Sequence, residues 1–139
     1  MRLVSLFGDS RKRAELLSSY LKFHSELRKV IKEDSWQWIG GSLLELYREP
    51  KDIDVVVWIT AADARRLPPA LSSPPTLKSE RGLHVFYERL DVSAQRLQRR
   101  TGYWYELWTS RRGGGRKGFL ELDSGADASK ALKSLKAPS

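Results

Sequence analysis

The chain contains no cysteine, which excludes disulfide frameworks, thiol nucleophiles and cysteine-ligated zinc together. Its two histidines, His24 and His84, are too few to make a histidine-rich metal site. With 10 glycines and 6 prolines in 139 residues it is not a low-complexity chain, and 40% hydrophobic with 30% charged residues suits a folded domain. The longest apolar run, around Val55-Val56-Val57-Trp58-Ile59, falls far short of the roughly 20 residues of a membrane helix. The opening Met1-Arg2-Leu3-Val4-Ser5-Leu6-Phe7 meets charge at Asp9 too early for a secretory signal. The expectation is a cytoplasmic protein that does not engage a membrane. Acidic residues are in deficit: 17 Asp and Glu face 25 Lys and Arg, for a net charge of +8 and a pI near 9.9. That balance suits a polyanionic partner, and it equally suits a well-solvated surface.

The length fits one domain, expected over residues 1–123, followed by a flexible basic tail at 124–139 that is small, polar and lysine-containing. Leu16, Tyr20, Phe23, Leu27 and Val30 recur in steps of four and three, which predicts a helix from Arg11 to Ile31 opened by Asp9 or Ser10. Lys12, Arg13, Glu15, Lys22, Glu26 and Lys29 are expected outside it. Trp36, Trp38 and Ile39 predict a short strand ending at Gly40-Gly41, and Ser42 to Arg48 a short helix. Asp52 to Ile59 reads as a central strand with both faces covered. Thr60 caps a helix over Ala61–Leu67 that Pro68-Pro69 ends, and Ala70 to Lys78 reads as a loop. Leu83 to Glu88 predicts a third strand. Asp91 or Ser93 opens a helix running through Trp108, and Gly118 to Leu122 a last strand. The fold class is α/β in the α+β sense, a small mixed sheet flanked by helices.

Two half-sites carry chemistry. Ile39-Gly40-Gly41-Ser42 places glycines, which let a phosphate approach the backbone, before a serine at a helix start, where unpaired N–H groups favour an anion. Nine residues later, Asp52-Ile53-Asp54-Val55 sets two carboxylates two apart on a strand, so both are expected on one face, positioned to hold Mg²⁺ through oxygen. Joined by one helix and one strand, the halves suit a nucleoside triphosphate and its metal ions, with attack at the α-phosphate.

This small-Gly-Ser, nine-residue, Asp-apolar-Asp-apolar pattern resembles the signature of the polymerase-beta nucleotidyltransferase superfamily. A closer likeness is to a group of small bacterial and phage minimal nucleotidyltransferase-like proteins. It runs through Phe7-Gly8-Asp9-Ser10, Trp38-Ile39-Gly40-Gly41-Ser42, Pro50-Lys51-Asp52-Ile53-Asp54-Val55-Val56, Tyr103-Trp104 and Arg116-Lys117-Gly118-Phe119, and covers most of residues 3–123. The resemblance implies a minimal nucleotidyltransferase core in which Gly40, Gly41 and Ser42 bind nucleotide and Asp52 and Asp54 hold Mg²⁺ or Mn²⁺. It also implies a third carboxylate on the next strand. There the chain departs from the pattern: His84 stands where that Asp is expected, with Glu88 on the same face and Asp91 just beyond. His84 and Glu88 therefore join Asp52 and Asp54 as catalytic candidates.

Lys51 and Lys117 are candidates for neutralising phosphate charge. Between Arg96 and Lys117, Arg96, Arg99, Arg100, Arg111, Arg112 and Arg116 accumulate against one acid, Glu106, beside the aromatic run Tyr103 to Trp108. This segment is the candidate nucleic-acid contact. The aromatic run itself is expected to pack in the core rather than stack on bases.

The activity implied is Mg²⁺-dependent transfer of a nucleoside monophosphate from a triphosphate to a hydroxyl on RNA or protein, in a toxin–antitoxin or phage-defence setting, with a partner protein or self-association completing the surface. The alternative is a degenerate nucleotidyltransferase fold that binds nucleotide, RNA or protein without catalysis.

Overall fold

The structure, a computed structural model, describes residues 11–40, 51–109, 119–128 and 130. Its elements are α1 (Arg11–Val30), β1 (Trp36–Gly40), β2 (Ile53–Ile59), α2 (Ala61–Arg66), α3 (Pro69–Ser72), α4 (Pro74–Arg81), β3 (Leu83–Arg89), α5 (Ala94–Thr109) and β4 (Phe119–Asp123). The fold is α+β. The four strands form one mixed sheet in the order β3-β2-β1-β4, with β2 and β3 parallel and β1 antiparallel to both β2 and β4.

The period-two alternation of β2 separates two cores, which explains why its middle is apolar without interruption. Ile53, Val55, Val57 and Ile59 turn toward α1 and pack with Leu16, Leu17, Tyr20, Phe23 and Leu27. Val56 and Trp58 turn the other way, against Trp38 and the α5 residues Trp104 and Trp108. The aromatic run thus divides: Trp104 and Trp108 enter the core, while Tyr103 and Tyr105 stay about half exposed.

Local chemistry fixes the connections. Thr60 Oγ1 accepts from Asp63 N at 3.2 Å and so caps α2. The Asp91 carboxylate accepts from Ala61 N at 3.1 Å and adds negative charge at the same helix end, which commits this residue away from the opening of α5. Ser93 takes that role, its Oγ accepting from Arg96 N.

Three expectations are corrected. Residues Ala70 to Lys78 are not a loop: Pro69 and Pro74 sit at the first turns of α3 and α4, where a missing N–H costs nothing. The α4 helix ends at Gly82, whose φ of 68° strains any other residue and where a Cβ would meet Leu16 Cδ2 at 2.6 Å, so both features favour glycine. Arg13 is buried rather than outside α1. The segment after β4 is not a frayed tail as far as Ala128. Ser124 Oγ meets Ser35 Oγ at 2.8 Å and accepts from Gln37 Nε2 at 3.2 Å, and Ala128 is buried in the α1-side core. The expected helix Ser42–Arg48 lies outside the described residues. Among the described residues, no helix is long and apolar enough to cross a membrane.

Candidate functional site

Three adjacent strands bring Gly40, Asp54 and His84 into one row on the α5 side of the sheet. Ile39 pairs with Val55, so the next residue of β1, Gly40, arrives beside Asp54, and Asp54 pairs with His84 on β3. A Cβ at Gly40 would stand 3.2 Å from Asp54 Cβ and 3.8 Å from Asp54 Oδ2. Glycine is therefore what allows β1 to close against the Asp54 carboxylate. On the other flank His84 Nδ1 lies 3.2 Å from Asp54 Oδ1, with both side chains a little over one-third exposed. Beyond Gly40 in the same row stands Phe119 of β4, in contact with Trp38 at 4.7 Å between centroids.

Asp52 is placed differently from the expectation. The strand begins at Ile53, so the alternation that would set both carboxylates on one face does not extend to Asp52. Asp52 instead lines a polar groove of about 660 Å³ together with Lys51, the α1 residues Lys12, Glu15 and Lys22, and Lys78 of α4.

Glu88 lies on the His84 face of β3 but is already engaged. Its carboxylate accepts from Arg100 Nε and Nη2 and, at 2.6 Å, from Trp104 Nε1. Burial pushes this carboxyl up, but the Arg100 and Trp104 hydrogen bonds and the Arg100 and Arg96 charges outweigh it and hold it below the ordinary carboxylate range. Glu88 is thus an anchor for α5 rather than a third metal ligand beside Asp54. Among the described residues no group of three or more His, Asp or Glu is placed to share a metal ion.

Of the basic segment, Arg96 and Arg99 are exposed on α5, while Arg100 both binds Glu88 and lies 4.9 Å from the Tyr103 ring centre. Gly41, Ser42, Arg111, Arg112, Arg116 and Lys117 lie outside the described residues. The sequence pattern missed a second groove, of about 620 Å³, which His84, Phe86, Glu88, Arg100 and Trp104 line with Lys78. Only the alternation of His84, Phe86 and Glu88 hinted at a shared face; nothing flagged Lys78, because it fell in a stretch read as loop.

Fold and site together define a small α+β protein with a carboxylate–imidazole pair beside a glycine strand end. Residues 1–123 match DUF6932, a family of unknown function, and the chain belongs to that family. No curated protein and no solved structure matches it.

Proposed function

We propose that this protein binds a nucleoside triphosphate, carried with Mg²⁺ or Mn²⁺, at the row formed by Gly40, Asp54 and His84, and transfers its nucleoside monophosphate to a hydroxyl on RNA or protein, the hydroxyl losing its proton as it attacks the α-phosphate and the α–β bond breaking to release pyrophosphate. The observation that carries this is the close packing of Gly40 against Asp54. It supports the meeting of half-sites that the resemblance to polymerase-beta nucleotidyltransferases implies, since Gly40, the residue before Gly41-Ser42 in sequence, stands beside a carboxylate. In that reading Gly41 and Ser42 receive phosphate oxygens, and Lys51 and Lys117 balance their charge.

The donor set fits a cation that arrives with its substrate better than a resident one. Mg²⁺ is commonly held by one or two carboxylates with the remaining positions filled by phosphate oxygens and water, so Asp54 suffices as the protein's principal ligand and Asp52 is the second candidate. Bound there, the cation would supply charge neutralisation at the α-phosphate. His84, through its 3.2 Å contact, orients the Asp54 carboxylate.

A degenerate, binding-only reading is favoured by two observations: His84 stands where a third carboxylate is expected, and Glu88 is held by Arg100 and Trp104. Calorimetric titration with triphosphates made non-cleavable between the α- and β-phosphates tests the site under either reading. The expected result is saturable binding that needs Mg²⁺ and weakens about tenfold or more in Asp54→Asn. Absence of Mg²⁺-dependent binding for all four bases overturns the site. The setting implied by the resemblance is toxin–antitoxin or phage defence, with RNA, protein or a second copy of the chain as partner.

A further inference from the structure

Along β3, between α4 and α5, runs the groove of about 620 Å³, which the phosphate and metal reading leaves unused. Its chemistry is specific. The His84 and Phe86 rings lie 4.3 Å apart, tilted by 45°, and Phe86 packs on Trp104 at 4.8 Å. Pro74 and Pro75 also line it, and the lining is mostly apolar. Its charged groups are the exposed Lys78 and the Glu88–Arg100 pair; Ser72, His84 and Tyr87, whose hydroxyl donates to the Leu71 carbonyl, complete the polar lining. A cavity of this size, apolar with a few placed polar groups, suits a small organic ligand rather than a bare ion.

Two connections say which ligand. His84 belongs at once to this groove and to the Asp54 row, so a ligand here abuts that row across one imidazole ring. Lys78 lines both this groove and the polar groove containing Lys12, Lys22, Lys51 and Asp52. The space is therefore lined by aromatic side chains and proline beside a lysine shared with a groove that holds further lysines. We propose that this groove receives a nucleobase, stacked on His84 and Phe86, with its phosphate directed to Lys78.

The base has two sources, the triphosphate at the Asp54 row or the terminal nucleotide of an RNA acceptor, and this deepening of the site rests on the function proposed above. Tryptophan fluorescence and saturation-transfer NMR, with Mg²⁺ left out, test it on the full chain using the four nucleosides, their 5′-monophosphates and a mixed trinucleotide. The expected result is binding in the absence of metal. Phe86→Leu, which keeps an apolar side chain against Trp104, weakens nucleoside and nucleotide alike by about tenfold. Lys78→Gln, on the surface, weakens the monophosphate by about fivefold and leaves the nucleoside unchanged. A trinucleotide that binds more tightly than every monophosphate assigns the base to the acceptor; the reverse order assigns it to the triphosphate.

No binding by any of these ligands overturns the proposal, as does nucleoside binding that Phe86→Leu leaves unchanged or monophosphate binding that Lys78→Gln leaves unchanged. The thermal transition of Phe86→Leu shows whether that variant is folded, and Lys78→Gln keeps the test decisive if it is not. The titrations need neither metal nor reaction. Base binding without nucleotidyl transfer would remove the activity alone, and transfer without base binding would remove this groove alone.

Discussion

His84 Nδ1 stands 3.2 Å from Asp54 Oδ1 across neighbouring parallel strands. Imidazole is a poor Mg²⁺ ligand, so under the proposed function the pair would supply one oxygen donor and one orienting group where the resemblance implies two oxygen donors. His84→Asp should reverse this, placing a second carboxylate next to Asp54. Mn²⁺ titration by calorimetry should show metal binding strengthened about tenfold, with stability lowered by about 1 kcal/mol in the absence of metal through like-charge repulsion. Unchanged Mn²⁺ affinity would show that these two positions do not share a metal.

Gly40 tests the other flank of the same carboxylate. A Cβ there would sit 3.2 Å from Asp54 Cβ, tight enough that Asp54 must yield by a few tenths of an ångström. Asp54 Cβ is fixed to the β2 backbone, so the two strands must shift slightly, and Gly40→Ala should cost about 1–3 kcal/mol in urea denaturation. Triphosphate affinity should fall more than the stability loss explains. Equal effects on both would reduce Gly40 to a packing residue.

Arg100 ties α5 to β3 through Glu88. Removing it in Arg100→Gln leaves the largely buried Glu88 carboxylate with its Trp104 bond alone. The cost expected is about 1–2 kcal/mol, in the lower part of the range for hydrogen bonds to charged groups because the Arg100 side chain is 42% exposed. The sign with pH follows from the depressed Glu88 pKa. Stability from this pair is present above the ordinary value of 4.5 and is lost as pH falls below it. Denaturation midpoints from pH 6 to pH 3 should fall more steeply in the wild type than in Arg100→Gln.

The C-terminal side of β4 belongs to the folded body. Tyr20 Oη donates to Gln37 Oε1 at 2.7 Å, Gln37 Nε2 donates to Ser124 Oγ, and Ser35 Oγ donates to the Trp58 carbonyl at 2.7 Å. Ser124→Ala should cost about 1–3 kcal/mol by leaving buried partners unsatisfied. A chain ended at Asp123 should lose at least as much, since it also removes Ala128 from the core. Wild-type stability in the shortened chain would restore the reading of residues 124–128 as a tail.

His24 gives the fold a second pH response. Its ring is buried on α1, and as the N–H its Nε2 donates to the Asp123 carbonyl at 3.2 Å. Burial, with the nearby Arg28 charge, lowers its pKa from the ordinary 6.5, against the opposing pull of the Asp123 carbonyl and of the Asp123 and Asp127 charges. The unfolded chain therefore binds more protons, and stability falls as pH drops from 6.5 toward the folded value. Thermal scans between pH 8 and pH 5 should show this decline in the wild type and a flatter profile in His24→Gln.

Elements with a clear period were legible in the sequence. The α1 stripe from Leu16 to Leu27, the apolar β2 and the Thr60 cap follow from spacing and side-chain chemistry that act locally. The connection from β2 to β3 is not legible in the same way, because a proline ring that cannot continue one helix can open the next, as Pro69 and Pro74 do, and only tertiary packing of Leu71 and Leu77 decides which. Tail composition likewise gave no sign that Ser124 satisfies Gln37, a contact across 87 residues of chain. At the site, Gly40 and Asp54 were readable as half-sites, whereas their adjacency depends on strand register. The separation of Asp52 from the Asp54 face depends on where β2 begins, a boundary that alternation does not fix.

The central claim is that Asp54 serves nucleotidyl transfer. Its most direct test is incubation of the protein with each α-phosphate-labelled triphosphate, Mg²⁺ or Mn²⁺, RNA and lysate protein, comparing the wild type with Asp52→Ala/Asp54→Ala. Label on RNA or protein is expected with the wild type and none with the double variant. No label with any triphosphate, or label that persists without the two carboxylates, would contradict it.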